Sequence, residues 1–127
     1  MVLITGGAFQ GKLEYALELT KISRDEILDG QDCTMEELMK KPMINHFHLW
    51  INRMLEEEHI YEVIEQIVKE NPNLIILVDE VGCGIVPMEE KERNYRELVG
   101  RVCCVLAKQA KQVHLVTCGI GTVIKDA

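Results

Sequence analysis

With 127 residues, 47% apolar and 28% charged, and only three prolines, the chain has the make-up of one globular domain, read here as a single unit over residues 1–127. A net charge of −7 speaks against a nucleic-acid partner, which calls for a basic face, but not against a nucleotide, whose phosphates need only local donors. The longest apolar run, residues 74–78, is too short to span a membrane. Met1 leads straight into Val2-Leu3-Ile4 with no basic or cleavable leader, so a cytoplasmic protein without a membrane partner is expected.

In chain order, Val2-Leu3-Ile4-Thr5 reads as a short strand ending at Gly6-Gly7. Leu13, Ala16, Leu17 and Thr20 recur at helical spacing and predict a helix over residues 12–22. Glu26-Ile27-Leu28 suggests a brief strand stopped by Asp29-Gly30, and residues 29–42 read as loop with one helical turn. From Ile44 onward, Phe47, Trp50, Ile51, Met54 and Leu55 predict an amphipathic helix. A second follows on Ile60, Val63, Ile64, Ile67 and Val68, ended by Asn71-Pro72-Asn73. Residues 74–78 are apolar throughout, as in a parallel strand buried on both faces. A glycine loop over residues 81–87 then leads to a long charged helix that turns Tyr95, Leu98, Val99, Val102 and Leu106 inward. Residues 113–118 read as the final strand, closed by Gly119-Ile120-Gly121. Alternating strands and helices predict an α/β fold: three layers around a mainly parallel sheet, as in P-loop NTPases of the RecA-like kind.

The sharpest motif is Gly6-Gly7-Ala8-Phe9-Gln10-Gly11-Lys12, which fits G-x-x-x-x-G-K between a strand and a helix. In that setting backbone N–H groups converge on an anion, the helix adds its positive end, and Lys12 reaches the terminal phosphates. The next position departs. A Ser or Thr hydroxyl there ligates Mg²⁺, but this chain has Leu13, which offers no oxygen. Asp79-Glu80, at the end of the apolar strand, is the second candidate: Asp79 as metal ligand, Glu80 as the group that orients or deprotonates a nucleophile. His46 and His48 stand two apart and would face different ways on a helix, so they are read, like His59 and His114, as structural. The five cysteines form no C-x-x-C pair and read as reduced thiols packed as small hydrophobes.

Together these residues resemble the bifunctional adenosylcobinamide kinase/adenosylcobinamide-phosphate guanylyltransferases. The likeness rests on Ile4-Thr5-Gly6-Gly7-Ala8 with Gly11-Lys12, and on Asp79-Glu80-Val81-Gly82-Cys83-Gly84-Ile85-Val86-Pro87, which fits the family's V-G-x-G-I-V-P. It continues through Arg93, Tyr95-Arg96, Gly100-Arg101 and Gly119-Ile120-Gly121. It is weaker at Asp32-Cys33-Thr34 (D-C-x-T) and Leu49-Trp50-Ile51-Asn52 (L-W-x-x-N). The resemblance implies a trimer that phosphorylates adenosylcobinamide with ATP or GTP and then transfers GMP through a guanylylated histidine. By the same likeness the phosphate cradle is Gly6, Gly7, Ala8, Phe9, Gln10, Gly11, Lys12 and Leu13, with Lys12 and Glu80 catalytic and Asp79 on Mg²⁺. Only residues 23–31 fill the interval that holds the family's second strand and its histidine-bearing helix, so the expectation is a kinase-type member without guanylyltransferase activity. The alternative is a non-enzymatic nucleotide-binding or regulatory relative.

Overall fold

The computed structural model describes residues 1–81 and 89–127. Most of the expected glycine loop, with Cys83 and the Gly82-to-Pro87 part of the family likeness, lies outside the described residues. Six strands are seen: β1 (Val2–Gly6), β2 (Ile27–Asp29), β3 (Met43–Asn45), β4 (Ile75–Asp79), β5 (Gln112–Thr117) and β6 (Ile120–Asp126). The helices are α1 (Lys12–Thr20), α2 (Met35–Leu38), α3 (Phe47–Arg53), α4 (Ile60–Glu70) and α5 (Glu90–Gln109). The strands join in the order β2-β3-β4-β1-β5-β6, and all pairs are parallel except β5 with β6.

This order fixes the layers. From β1 the chain crosses to β2 in one direction, whereas the connections into β3, β4 and β5 run the other way. Right-handed crossovers then place α1 on one face of the sheet and the later helices on the opposite face. The cores agree. Ile4, Leu77 and Met43 pack with Ala16 of α1, while Leu3, Ile76 and Val78 pack with Ile51, Ile64 and Leu106 of α3, α4 and α5. β4 lies between β3 and β1 with residues 76–78 buried, as its unbroken apolar run predicts. In α4, Ile60, Ile64 and Ile67 are buried, so the expected apolar stripe faces the core.

Three local expectations change. The helix read over residues 12–22 stops at Thr20, because Lys21 takes a left-handed conformation (φ 61°) and donates its N–H to the Leu17 carbonyl. Ile44 does not open a helix. Met43-Ile44-Asn45 is a strand between β2 and β4, and a left-handed His46 (φ 55°) separates it from α3. Residues 112–117 are not the last strand, since Cys118 (φ 52°) and Gly119 (φ 75°) form a tight turn into β6. Positive φ at both central positions is the hairpin geometry that suits strand twist. Trp50 is buried and stacks on Phe47 with ring centroids 4.9 Å apart, so its place is the core. Among the described cysteines, Cys33 is buried and Cys103 half-buried, while Cys104 and Cys118 are exposed. Burial holds the Cys33 thiol above its ordinary value and pushes Cys103 up to about 12, which keeps both protonated. No helix among the described residues is long and apolar enough to cross a membrane.

Candidate functional site

β1 and β4 are neighbours whose following helices lie on opposite faces, so a crevice opens between their carboxyl ends, where Gly6 pairs with Asp79. The glycine loop leaves β1 at this point. A Cβ on Gly6 would lie 2.4 Å from the Val116 carbonyl oxygen, so only glycine lets the loop start against β5. Phe9 (φ 61°) and Gly11 (φ 86°) carry the chain round, with the Phe9 ring fully exposed. Gln10 pins the loop to the β5–β6 turn: its side-chain oxygen accepts from the Cys118 N–H (2.6 Å) and its carbonyl from the Gly119 N–H (2.7 Å). Among the described residues no protein group accepts the N–H groups of residues 8–11. They remain available to an anion at the start of α1.

Lys12 is buried beneath the loop. Its Nζ donates to the Gly7 carbonyl (2.8 Å) and the Gly6 carbonyl (3.2 Å) and pairs with Asp79 Oδ1 at 2.6 Å. Three oxygens therefore fix the ammonium group. Asp79 in turn rests on His48. Because β3 is short, the Asp79 N–H finds no strand partner on that side and donates to His48 Nδ1 (3.2 Å), while His48 Nε2 lies 3.5 Å from Asp79 Oδ2. Burial lowers the His48 pKa, outweighing the opposite pull of Asp79, so the ring is neutral near pH 7. The Tyr95 hydroxyl donates to the His48 carbonyl at 3.1 Å.

The resulting cleft, about 460 Å³, is lined by the loop from Ala8 to Leu13 and by Asn45, His46, His48 and Asp79. Lys12, Asp79 and the loop thus meet as the motif implies. Glu80 does not join them. Successive residues of a strand point to opposite faces, and Glu80 lines a separate cavity of about 400 Å³ under α5, beside Thr5 and Cys103. Asp32-Cys33-Thr34 does not reach the cleft either: Thr34 caps α2 through a reciprocal pair with Glu37. His46 and His48, read as structural, both line the cleft. A strand ending at Asn45 was the missed signal, since residues just beyond a parallel strand's carboxyl end face the crevice.

The donors present do not fit a resident magnesium ion. Asp79 already faces Lys12 and His48, Leu13 stands where a hydroxyl would be needed, and no group of three His, Cys, Asp or Glu side chains among the described residues could hold a metal. The same cleft suits a phosphate chain, with unpaired loop N–H groups and one fixed ammonium.

A glycine loop over a buried lysine, set at the switch point of a mostly parallel sheet, defines a P-loop NTPase fold. The family model described as cobinamide kinase / cobinamide phosphate guanyltransferase matches residues 30–124, and the chain belongs to that family. Two curated relatives, the bifunctional adenosylcobalamin biosynthesis proteins CobU of Escherichia coli (strain K12) and Salmonella typhimurium (strain LT2), are each 44% identical over 52 residues. That stretch is 41% of this chain and only 29% of each relative.

Proposed function

We propose that this chain binds ATP or GTP through the glycine loop and transfers the terminal phosphoryl group to the hydroxyl of adenosylcobinamide, a kinase step of cobalamin biosynthesis. The observation that carries this reading is the ammonium of Lys12, held by the Gly6 and Gly7 carbonyls and Asp79 under a loop with free N–H groups. In the reaction the loop from Gly6 to Leu13 wraps the β- and γ-phosphates, and Lys12 offsets the charge that gathers on the transferred group. Asp79 acts by positioning Lys12, and His48 by positioning Asp79. The test is a nucleotide titration by calorimetry with and without Mg²⁺, followed by transfer of labelled γ-phosphate to adenosylcobinamide. Binding with no transfer defeats the kinase reading.

A second reading, a nucleotide-binding relative without catalysis, is favoured by Leu13, which leaves the metal no hydroxyl. Guanylyltransferase activity is absent in either case. Residues 21–26 alone join α1 to β2, too short a connection for another strand and helix. Labelled GTP should then leave no acid-labile GMP on the protein; an adduct on His46 or His48 restores the bifunctional assignment. Assembly into a trimer is also proposed, supported by the exposed Tyr61, Ile120 and Ile124. Light scattering that finds only monomer removes it.

A further inference from the structure

The cleft holds a second polar device that the phosphate-binding parts do not use. β2 ends at Asp29, and its carboxylate is fixed on both oxygens: Oδ1 accepts from the Gln31 N–H at 2.9 Å, and Oδ2 lies 3.2 Å from His46 Nδ1. The turn beyond β2 is pressed against His46. Gly30 donates its N–H to the Asn45 carbonyl (2.8 Å), and a Cβ on Gly30 would sit 2.1 Å from the His46 carbonyl oxygen. Arg53 closes the turn by donating to the Gly30 carbonyl at 2.9 Å. His46 itself takes a left-handed conformation and donates its N–H to Asn45 Oδ1 at 2.9 Å. Backbone and carboxylate together set the ring's direction.

The two histidines of the cleft therefore differ in kind. His48 is buried with both ring nitrogens turned to Asp79. His46 is 41% exposed, its Nδ1 is taken by Asp29, and Nε2 has no protein partner among the described residues. Asp29 on β2 and His48 on α3 (ring centroids 5.7 Å apart) lie against it, and Lys12 and Glu14 on α1 and Asp79 on β4 are the other charged groups lining the cleft, with Glu14 paired to Arg24. A carboxylate on Nδ1 favours the tautomer with its proton there, which leaves Nε2 basic.

We infer that the Asp29–His46 pair is the general base of the cleft, with His46 taking the proton of the attacking alcohol and Asp29 as its positioning residue. The inference rests on the kinase reading above. In the step, the acceptor oxygen bonds to the γ-phosphorus of the nucleoside triphosphate and the bond from that phosphorus to the β–γ bridging oxygen breaks. The acceptor's proton passes to His46 Nε2, and the nucleoside diphosphate leaves with the bridging oxygen. This is the role that the sequence assigns to Glu80, which lines the separate cavity under α5.

The test uses the whole chain with ATP and adenosylcobinamide, following transfer across a pH series. His46→Asn suits the left-handed backbone position and removes the base. Nucleotide affinity should stay within about twofold while kcat falls about 100-fold or more, with loss of the acidic limb of the kcat profile. Asp29→Asn should lower kcat about tenfold with nucleotide affinity again within about twofold, because the ring loses the carboxylate that sets its direction, and Asp29→Glu should recover part of the loss. Thermal melts confirm that both variants fold. A His46→Asn chain that keeps wild-type kcat and its acidic limb overturns this inference alone. A wild-type chain that binds nucleotide but transfers nothing overturns it together with the kinase reading.

Discussion

The carboxyl end of the β1–β4 pair opens on two cavities of similar size and opposite character. On one side the cleft of about 460 Å³ gathers the glycine loop, Lys12, Asp79 and two histidines. On the other, the cavity of about 400 Å³ under α5 is walled by side chains such as Leu3, Val99 and Val113, with Glu80 at its edge. The carboxylates that distinguish them, Asp79 and Glu80, are adjacent in sequence. One peptide bond thus separates a carboxylate that pairs with Lys12 from one that lines the other cavity. Neighbouring acidic residues at a strand end are not a functional pair by virtue of being neighbours, because strand geometry assigns them to opposite faces.

The largest effect should come from the point between the two cavities where the glycine loop leaves β1. In Gly6→Ala the new Cβ meets the backbone oxygen of Val116 at 2.4 Å, and backbone cannot rotate aside. A loss on the order of 3–5 kcal/mol in urea unfolding is expected, with nucleotide binding lost as well. Lys12→Ala breaks the cleft alone. It leaves Asp79 without its cation, costing up to about 3 kcal/mol, the low end for a buried pair because Asp79 is 19% exposed. Without the charge-assisted contact, affinity for ATP or GTP in calorimetry should fall at least about tenfold; unchanged affinity would mean that the loop is not the site.

Leu13→Ser asks whether the cleft can be returned to metal use. Leu13 packs at the margin of the Ile4–Ala16–Leu77 cluster, so truncation should cost about 2 kcal/mol. The restored hydroxyl should make Mg²⁺ tighten nucleotide binding, an effect absent from the wild type. Equal Mg²⁺ dependence in both would show that another group holds the metal.

A smaller effect follows from pH. Burial lowers the folded pKa of His48, and of His114, whose Nδ1 meets the Tyr15 hydroxyl at 2.6 Å. Below the ordinary histidine value of 6.5 the unfolded chain binds protons that the folded chain refuses. Stability from this source is complete above 6.5 and declines as pH falls through the lowered folded values. His48→Gln should flatten part of the decline in melts between about pH 7 and 5. Smallest of all is Glu80→Gln, which changes only the apolar cavity. Nucleotide affinity and phosphoryl transfer should stay within about twofold of wild type, whereas a large loss of transfer would return Glu80 to the mechanism.

Much of this molecule is legible without coordinates. The unbroken apolar residues 74–78 demand a strand buried on both faces, and the Ile60–Val68 spacing demands a helix with one apolar stripe. Gly6 to Lys12 between strand and helix already marks the loop that borders the cleft, because its course depends on local backbone freedom and on one nearby charge. Such features are set by residues close in sequence, where periodicity and glycine conformation act directly. The three-residue β3 could not be told from the start of a helix, since Met43 and Ile44 are apolar in either role and only pairing with β2 and β4 selects the strand. With β3 unread, His46 and His48 could not be placed at the crevice, nor Asp29 beside His46. The hairpin that brings Cys118 and Gly119 onto Gln10 is equally non-local. Contacts between residues far apart in the chain depend on strand order and register, and those are chosen by burying the whole sheet at once, not by any one segment.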